Sequence, residues 1–354
     1  MSSNNSSNLC RILPKVELHA HLNGSLNPEI LKDLSCNDNA ISEYQKFSNI
    51  TDKTTCTLDE CFKLFDIAYQ ATKTKENVYL ATKSVIKDFD TENTVYLELR
   101  TTPRKEQNMT KEEYVEAVIR AIENCKDICN VLVKLILSIN RRHDKLDSKD
   151  TLNVIIKMKN KYPDIIKVTF SSGVDLSGDP RAGIFDEELF EKVRKLDLKT
   201  AIHCAEVKND EEVGKILDFQ PDRIGHAIFL HPAYGGSKIN WEKYCEKKIP
   251  VECCLTSNVI TTSMGGYQNH HLREWIDSNL PFSINTDDRG VFGTTLSKEY
   301  EYALNHFKLM PLQLWDISFN AMEHSFATEI EKSMIQKGLI EWKVQNLEKF
   351  NLIN

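Results

Sequence analysis

Short, nearly uninterrupted apolar runs alternate along this chain with longer stretches whose apolar residues recur every three or four positions. The runs cover 16–22, 95–100, 131–140, 165–171, 200–206, 223–230, 249–256 and 281–287. Strands with one wet face alternate apolar and polar residues, whereas strands buried on both faces lose that alternation, as in parallel sheets covered by helices. Between the runs lie amphipathic patterns. In 112–126, Tyr114, Val115, Val118, Ile119 and Ile122 share one side, and 186–196 and 211–219 repeat the pattern. Strand–helix alternation repeated eight times predicts a closed (β/α)8 TIM-type barrel of class α/β. One connection is too long for the rhythm. Residues 28–92 read as a helical insert after the first strand, placed to form a lid, and 298–347 as extra C-terminal helices outside the barrel. Residues 1–10 begin Ser/Asn-rich and are expected to form a disordered tail. Residues 11–354 are then one domain, since no linker or further repeat divides them.

Composition narrows the class without naming a function. The 354 residues are 41% hydrophobic and 27% charged, which is ordinary for a globular chain. A net charge of −7 and no basic stripe disfavour binding to a nucleic-acid backbone. The ten cysteines have no paired spacing, and Cys204, Cys253 and Cys254 lie inside apolar runs, as reduced thiols of a cytoplasmic (cytosolic) protein would. No signal peptide is expected at the N-terminus, and no run is long and apolar enough to span a bilayer. A monomer with no nucleic-acid or membrane partner is expected.

Candidate chemistry starts at the first strand. His19 and His21 end it one residue apart, and residues i and i+2 of a strand face the same way. Two convergent imidazoles suit a transition metal such as zinc. A barrel predicts further site residues at the C-terminal ends of other strands. The fifth run ends in His203-Cys204-Ala205-Glu206, the sixth carries Gly225-His226, the eighth ends in Asp287-Asp288, and the fourth runs into Asp175-Leu176-Ser177-Gly178-Asp179. His19, His21, His203 and Asp287 supply three nitrogens and one oxygen to a hydrolytic metal. Glu206 is placed to exchange protons with a substrate, and His226 to take a proton from the attacking water or to orient it. Asp288 aims at substrate, and Gly178 lets backbone approach a flat ligand. A second metal would need a bridging group such as a modified lysine at a middle strand end. Lys167 falls mid-run, which argues for one metal per chain. Taken singly, His203 or His226 reads as a core histidine. His231, His270 and His271 read as structural or surface residues, Arg141, Arg142 and His143 as a solvated loop, and Trp241, Trp275 and Trp315 as helix packing.

Together these motifs resemble the adenosine deaminase superfamily, in its order, over residues 13 to about 325: His19-Ala20-His21-Leu22-Asn23-Gly24-Ser25, Asp175 to Asp179, His203 to Glu206, Gly225-His226-Ala227 and Thr286-Asp287-Asp288. The resemblance implies one zinc ion on His19, His21, His203 and Asp287. It implies Glu206 at purine N1, His226 assisting the water, Gly178 at N3 and Asp288 at N7, with hydrolysis at purine C6. Three segments look most like the adenosine deaminase-like branch, the N6-methyl-AMP deaminases. They are Glu98-Leu99-Arg100-Thr101-Thr102-Pro103-Arg104, Asp287-Asp288-Arg289-Gly290-Val291-Phe292, and Asn23 where adenosine enzymes carry an aspartate. A carboxylate beside a 5′-phosphate would repel it, whereas an amide can donate to it. Thr101, Thr102 and Arg104 are then expected to meet that phosphate, with Pro103 a further substrate-binding residue. Tyr69 and Asn140 are expected substrate contacts at positions where the family has histidine and aspartate. The substrate expected is a small-molecule purine nucleotide, converted from N6-methyl-AMP to IMP and methylamine. The rivals are an adenosine deaminase acting on free nucleoside, a two-metal ester or phosphotriester hydrolase on the same barrel, and an inactive barrel kept for binding.

Overall fold

The computed structural model describes residues 3–35, 37–161, 170–262 and 264–351. Eight strands, β1 (Lys15–His21), β2 (Thr94–Thr101), β3 (Leu132–Asn140), β4 (Phe170–Ser177), β5 (Lys199–Cys204), β6 (Arg223–His226), β7 (Val251–Cys253) and β8 (Phe282–Ile284), pair in sequence order. Every pairing is parallel. A single bridge between Ala20 and Asp287 closes β8 onto β1. Backbone bonds flank it, His21 N to Asp287 O at 3.0 Å and Asp287 N to His19 O at 2.8 Å. Glu17, buried on β1, braces the same seam by accepting from the Thr286 backbone and hydroxyl, both at 2.9 Å.

The tail and insert differ in detail from expectation. Ser3–Ile12 forms helix α1 where a disordered tail was expected, because Leu9 and Cys10 are buried and the helix packs on the C-terminal part of the chain. The insert contains α2 (Pro28–Leu34), α3 (Asp38–Ser48) and α4 (Leu58–Ala71). α5 (Lys75–Thr91) packs beside α6 (Lys111–Cys125) as the first barrel helix proper. Capping boxes start α4 and α6: the Thr57 and Thr110 hydroxyls accept from the third-residue N–H, and Glu60 and Glu113 reach back. The outer ring continues with α7 (Lys145–Lys161), α8 (Glu187–Lys195), α9 (Asp210–Phe219), α10 (Lys238–Lys247), α11 (Leu255–Thr262) and α12 (Leu272–Asp277). α13 (Leu296–Phe307), α14 (Pro311–Glu323) and α15 (Glu329–Asn351) end the described chain. α14 lies against β1 and β8 and covers the seam.

Several strands are placed or bounded differently from their apolar runs. The fourth was expected at 165–171; the described strand is Phe170–Ser177, and 165–169, with Lys167, lie outside the described residues. Asp175 is therefore an interior strand residue, where Ser138, Arg100 and His203 meet its charge. The sixth, seventh and eighth strands stop early. The backbone turns left-handed at His226 (φ 66°), Ala227 (φ 57°) and Asp287 (φ 59°), and the end of the seventh run becomes α11. Unfavourable φ values of this kind gather where a site dictates side-chain direction.

The barrel interior is charged as well as apolar. Arg100 bonds Asp175 at 3.1 Å and also Glu252, and Arg223 bonds Glu252 at 2.6 Å and also Glu98. All five side chains are buried. Removing one member of such a network leaves an unpaired buried charge, at a cost of about 3–5 kcal/mol.

Candidate metal centre and active site

His19 and His21 on β1, His203 on β5 and Asp287 after β8 converge at the C-terminal mouth of the barrel. His21 Nε2 lies 3.3 Å from His19 Nε2 and 3.2 Å from His203 Nε2. Asp287 Oδ1 is 3.5 Å from both His19 Nε2 and His21 Nε2. The other ring nitrogens explain this crowding. His19 Nδ1 donates to Glu252 Oε2 at 2.7 Å, and His203 Nδ1 to Asp175 Oδ1 at 2.9 Å. In its neutral form each ring has thus spent its hydrogen outward and turns a bare lone pair inward. Lone pairs and a carboxylate facing one another repel unless a cation sits among them. Four ligands about 2.0–2.1 Å from a tetrahedral centre would stand about 3.3 Å apart, the spacing seen here. The residues fit a metal of zinc type. Cys254 also lies within reach of Asp287, but burial holds its thiol far up toward the protonated form.

Neighbouring groups tune these ligands. Burial pushes His21 down to about 3, so its ring is neutral and free to ligate. Burial opposes ionisation of Asp287, and against it stand the hydrogen bond and positive charge of His19 when that ring is protonated, which hold the carboxyl well below the ordinary range. Ser257 donates to Asp287 Oδ2 at 2.7 Å. Glu252 is likewise buried and kept ionised by Arg100 and Arg223.

Beside this cluster, Glu206, His226 and Asp288 face one cavity. Burial raises Glu206 to about 7, and burial together with Asp287 pushes Asp288 well above the carboxylate range. Glu206 Oε1 and Asp288 Oδ1 are buried without a hydrogen-bond partner. Gly24 makes the room for Asp288: a Cβ there would overlap Asp288 Oδ1. Two carboxyl groups held near neutrality, a neutral histidine and a metal-ready cluster in one cavity form a hydrolytic constellation.

The family model for adenosine deaminase matches residues 14–342. The chain belongs to the adenosine deaminase family. The N6-methyl-AMP deaminase of Danio rerio is 37% identical over 344 residues, covering 96% of this chain and 97% of that one. The human N6-methyl-AMP deaminase is 38% identical over 332 residues, with 92% of each chain covered. Among solved structures, the Arabidopsis ADAL complex with GMP superposes with a TM-score of 0.82 at 32% identity, covering 94% of this chain and 98% of that one. The ester or phosphotriester hydrolase rival loses its ground to this membership, and the intact His/Asp cluster beside Glu206 speaks against an inactive barrel.

In this deaminase, His21, Asn23, Tyr69, Thr101, Thr102, Asn140, Gly178, His203, Glu206, His226, Asp287 and Asp288 line the cavity, together with Leu58, Phe62 and Phe65 of α4. The expected lid helix therefore contributes an apolar wall. Two details differ from expectation. Pro103 and Arg104 do not line the cavity. The Arg104 guanidinium lies behind it, between Tyr69 and Tyr114 at 5.2 and 4.9 Å. It donates to Thr72 O and Oγ1 at 2.6 Å, to Asn23 Oδ1 at 3.4 Å and to Glu106 at 3.0 Å. Asn23 donates to Thr72 Oγ1 at 2.9 Å instead of presenting that N–H to a ligand, and Thr101 Oγ1 pairs with Tyr114 OH at 2.6 Å. The open side of Gly178 (φ 104°) faces the Asn140 amide, whose oxygen a Cβ at this position would overlap, so the glycine is needed for the turn.

Sequence reasoning missed the outward partners Glu252 and Asp175, and Ser257 and Asn258 on α11. Glu252 had a signal: it is the lone acid within the apolar run 249–256. Arg141 was expected in a solvated loop, but it is buried, bonding Glu212 at 2.7 Å and His203 O at 2.8 Å.

Proposed function

We propose that this deaminase hydrolyses N6-methyl-AMP to IMP and methylamine, with His19, His21, His203 and Asp287 holding one zinc ion. The observation that carries the nucleotide reading is the corner at Asn23: an amide, not a carboxylate, with the Arg104 cation stacked behind it between two tyrosines. That corner is electrically suited to a 5′-phosphate, since Coulomb repulsion from a carboxylate is strongest in a closed pocket. Relatives at 37% and 38% identity that carry this activity by name support the same substrate.

Zinc held by these four ligands supplies Lewis acidity that makes water nucleophilic near neutral pH. The protein residues do the rest. Glu206, raised to about 7, is protonated in about half of the molecules at neutral pH, and in that form it delivers its proton to purine N1, which draws electrons from C6 where the water oxygen adds. Asp288, held in its neutral form, donates to N7, an acceptor. Gly178 meets N3. His226 Nε2, 3.6 Å from Glu206 Oε2 and 3.8 Å from Asp287 Oδ2, faces the attacking oxygen. Collapse of the tetrahedral adduct breaks the C6–N6 bond: N6 gains a proton and leaves as methylamine, while the C6 hydroxyl loses its proton and becomes the carbonyl of IMP, so that the two water protons end on N1 and on the amine.

One observation favours the nucleoside reading: Glu106 already pairs with Arg104 and offsets its charge. A side-by-side product assay on N6-methyl-AMP, AMP and adenosine separates the two. We expect IMP and methylamine from the first; rapid turnover of adenosine with inert N6-methyl-AMP overturns the proposal. We also place the reaction in the cytosol. Nine unpaired cysteines among the described residues suit a reducing compartment, and no described helix is long and apolar enough to cross a membrane.

A further inference from the structure

What His226 can do at the cavity depends on whether its Nε2 carries a hydrogen, and the far side of its ring decides that. The deciding group is a backbone N–H, which can only donate. Leu272 N lies 3.0 Å from His270 Nδ1, so His270 Nδ1 accepts and its hydrogen, in the neutral ring, is on Nε2. His270 Nε2 lies 3.1 Å from the Asn258 amide, which must therefore turn its oxygen toward it. The Asn258 nitrogen then faces the other way, 2.9 Å from His226 Nδ1. An amide N–H donates as well, so His226 Nδ1 accepts, and neutral His226 carries its hydrogen on Nε2. His226, Asn258 and His270 are all buried, so no solvent competes for these bonds. His271 Nε2 donates to His226 O at 2.7 Å and steadies the left-handed backbone there.

We propose that Asn258 and His270 are positioning residues that fix His226 as its Nε2–H tautomer, so that His226 donates a hydrogen bond to the attacking oxygen and does not take its proton. The water proton then passes to the Glu206 carboxylate left behind when Glu206 protonates N1. The proton count closes with Glu206 as the shuttle, and no other base is required. The effect on turnover rests on the deaminase reading above; the tautomer itself does not.

Asn258→Asp tests this. The carboxylate has nearly the same shape but can only accept, from His270 on one side and from His226 Nδ1–H on the other. In the zinc-loaded enzyme, nitrogen NMR of labelled histidines is expected to find the wild-type His226 hydrogen on Nε2 and the variant's on Nδ1. Turnover of N6-methyl-AMP is expected to fall about a hundredfold in kcat, the usual cost of losing a donor aimed at reacting oxygen, with KM little changed. His270→Gln keeps an N–H near the Nε2 position and should preserve the wild-type spectrum, whereas His270→Leu should release it. A wild-type hydrogen on Nδ1 overturns the proposal. So does an Asn258→Asp enzyme whose tautomer moves while kcat does not, or whose kcat falls while the tautomer stays. Inactivity of the wild type toward N6-methyl-AMP with the expected spectrum would instead count against the substrate.

Discussion

Gly24 has no room for a side chain, because the Asp288 carboxylate occupies that space. Gly24→Ala is expected to displace Asp288 and lower kcat/KM about a hundredfold, the scale of a displacement of about 1 Å at a reacting centre, while the metal remains bound. Glu206→Gln should keep fold and metal content and lose about 10²–10⁴-fold in kcat; near-normal turnover would remove it from the proton path. Arg104→Ala is expected to lower kcat/KM for the monophosphate by about tenfold, the pull of a cation acting through the Asn23 corner without a direct bond, and to spare the nucleoside. An equal fall with both would assign Arg104 to structure alone. At this scale the sequence was informative about the groups gathered at the cavity and in the His/Asp cluster. Their chemistry is visible in residue type and in strand-end position. It was blind to direction: Thr101 and Asn23 line the cavity and Arg104 lies behind it, but they bond first to Tyr114 and Thr72.

Among the elements, α11 is the least expected and the most consequential. Its sequence continues an apolar run, yet it starts a helix that carries Ser257 to Asp287 and Asn258 to His226. Buried Glu299 holds its first turn, accepting from Thr256 N at 3.0 Å and Thr294 Oγ1 at 2.6 Å. Burial raises Glu299 from 4.5 to about 7. Over that interval the folded protein keeps a proton that the unfolded chain has released, so stability falls as pH rises through it. Between pH about 5 and 8 the melting temperature of the wild type should therefore fall more than that of Glu299→Gln; parallel curves would show that Glu299 titrates normally. Periodicity could not reveal α11, since a short apolar run reads alike as buried strand or buried helix. The neighbouring strand ends were misjudged for a related reason: left-handed backbone at His226 and Asp287 is imposed by what the side chains must reach.

For the whole molecule, eight apolar runs were enough to read the barrel, because burial on both faces of a parallel sheet leaves a strong imprint. The charged interior left a weaker one. Arg100, Arg223 and Glu252 look out of place in strands until the sheet closes and brings them together. The candidate metal ligands come from both sides of the barrel's closing edge and from β5 opposite. Chelation should lower the melting temperature by several degrees or more and zinc should restore it, as expected when a ligand binds only the folded form. Metal analysis should find one ion per chain, and a tightly held second would contradict the ligand count.

The seam between β8 and β1 rests on one bridge whose backbone bonds belong to His19, His21 and Asp287. Opening it would require the same residues to let go of an ion held by the cluster. Hydrogen–deuterium exchange at the amides of His21 and Asp287 should thus be slow in the loaded enzyme and accelerate when the ion is stripped. Two peptide hydrogens would then serve as a built-in gauge of occupancy, legible without substrate.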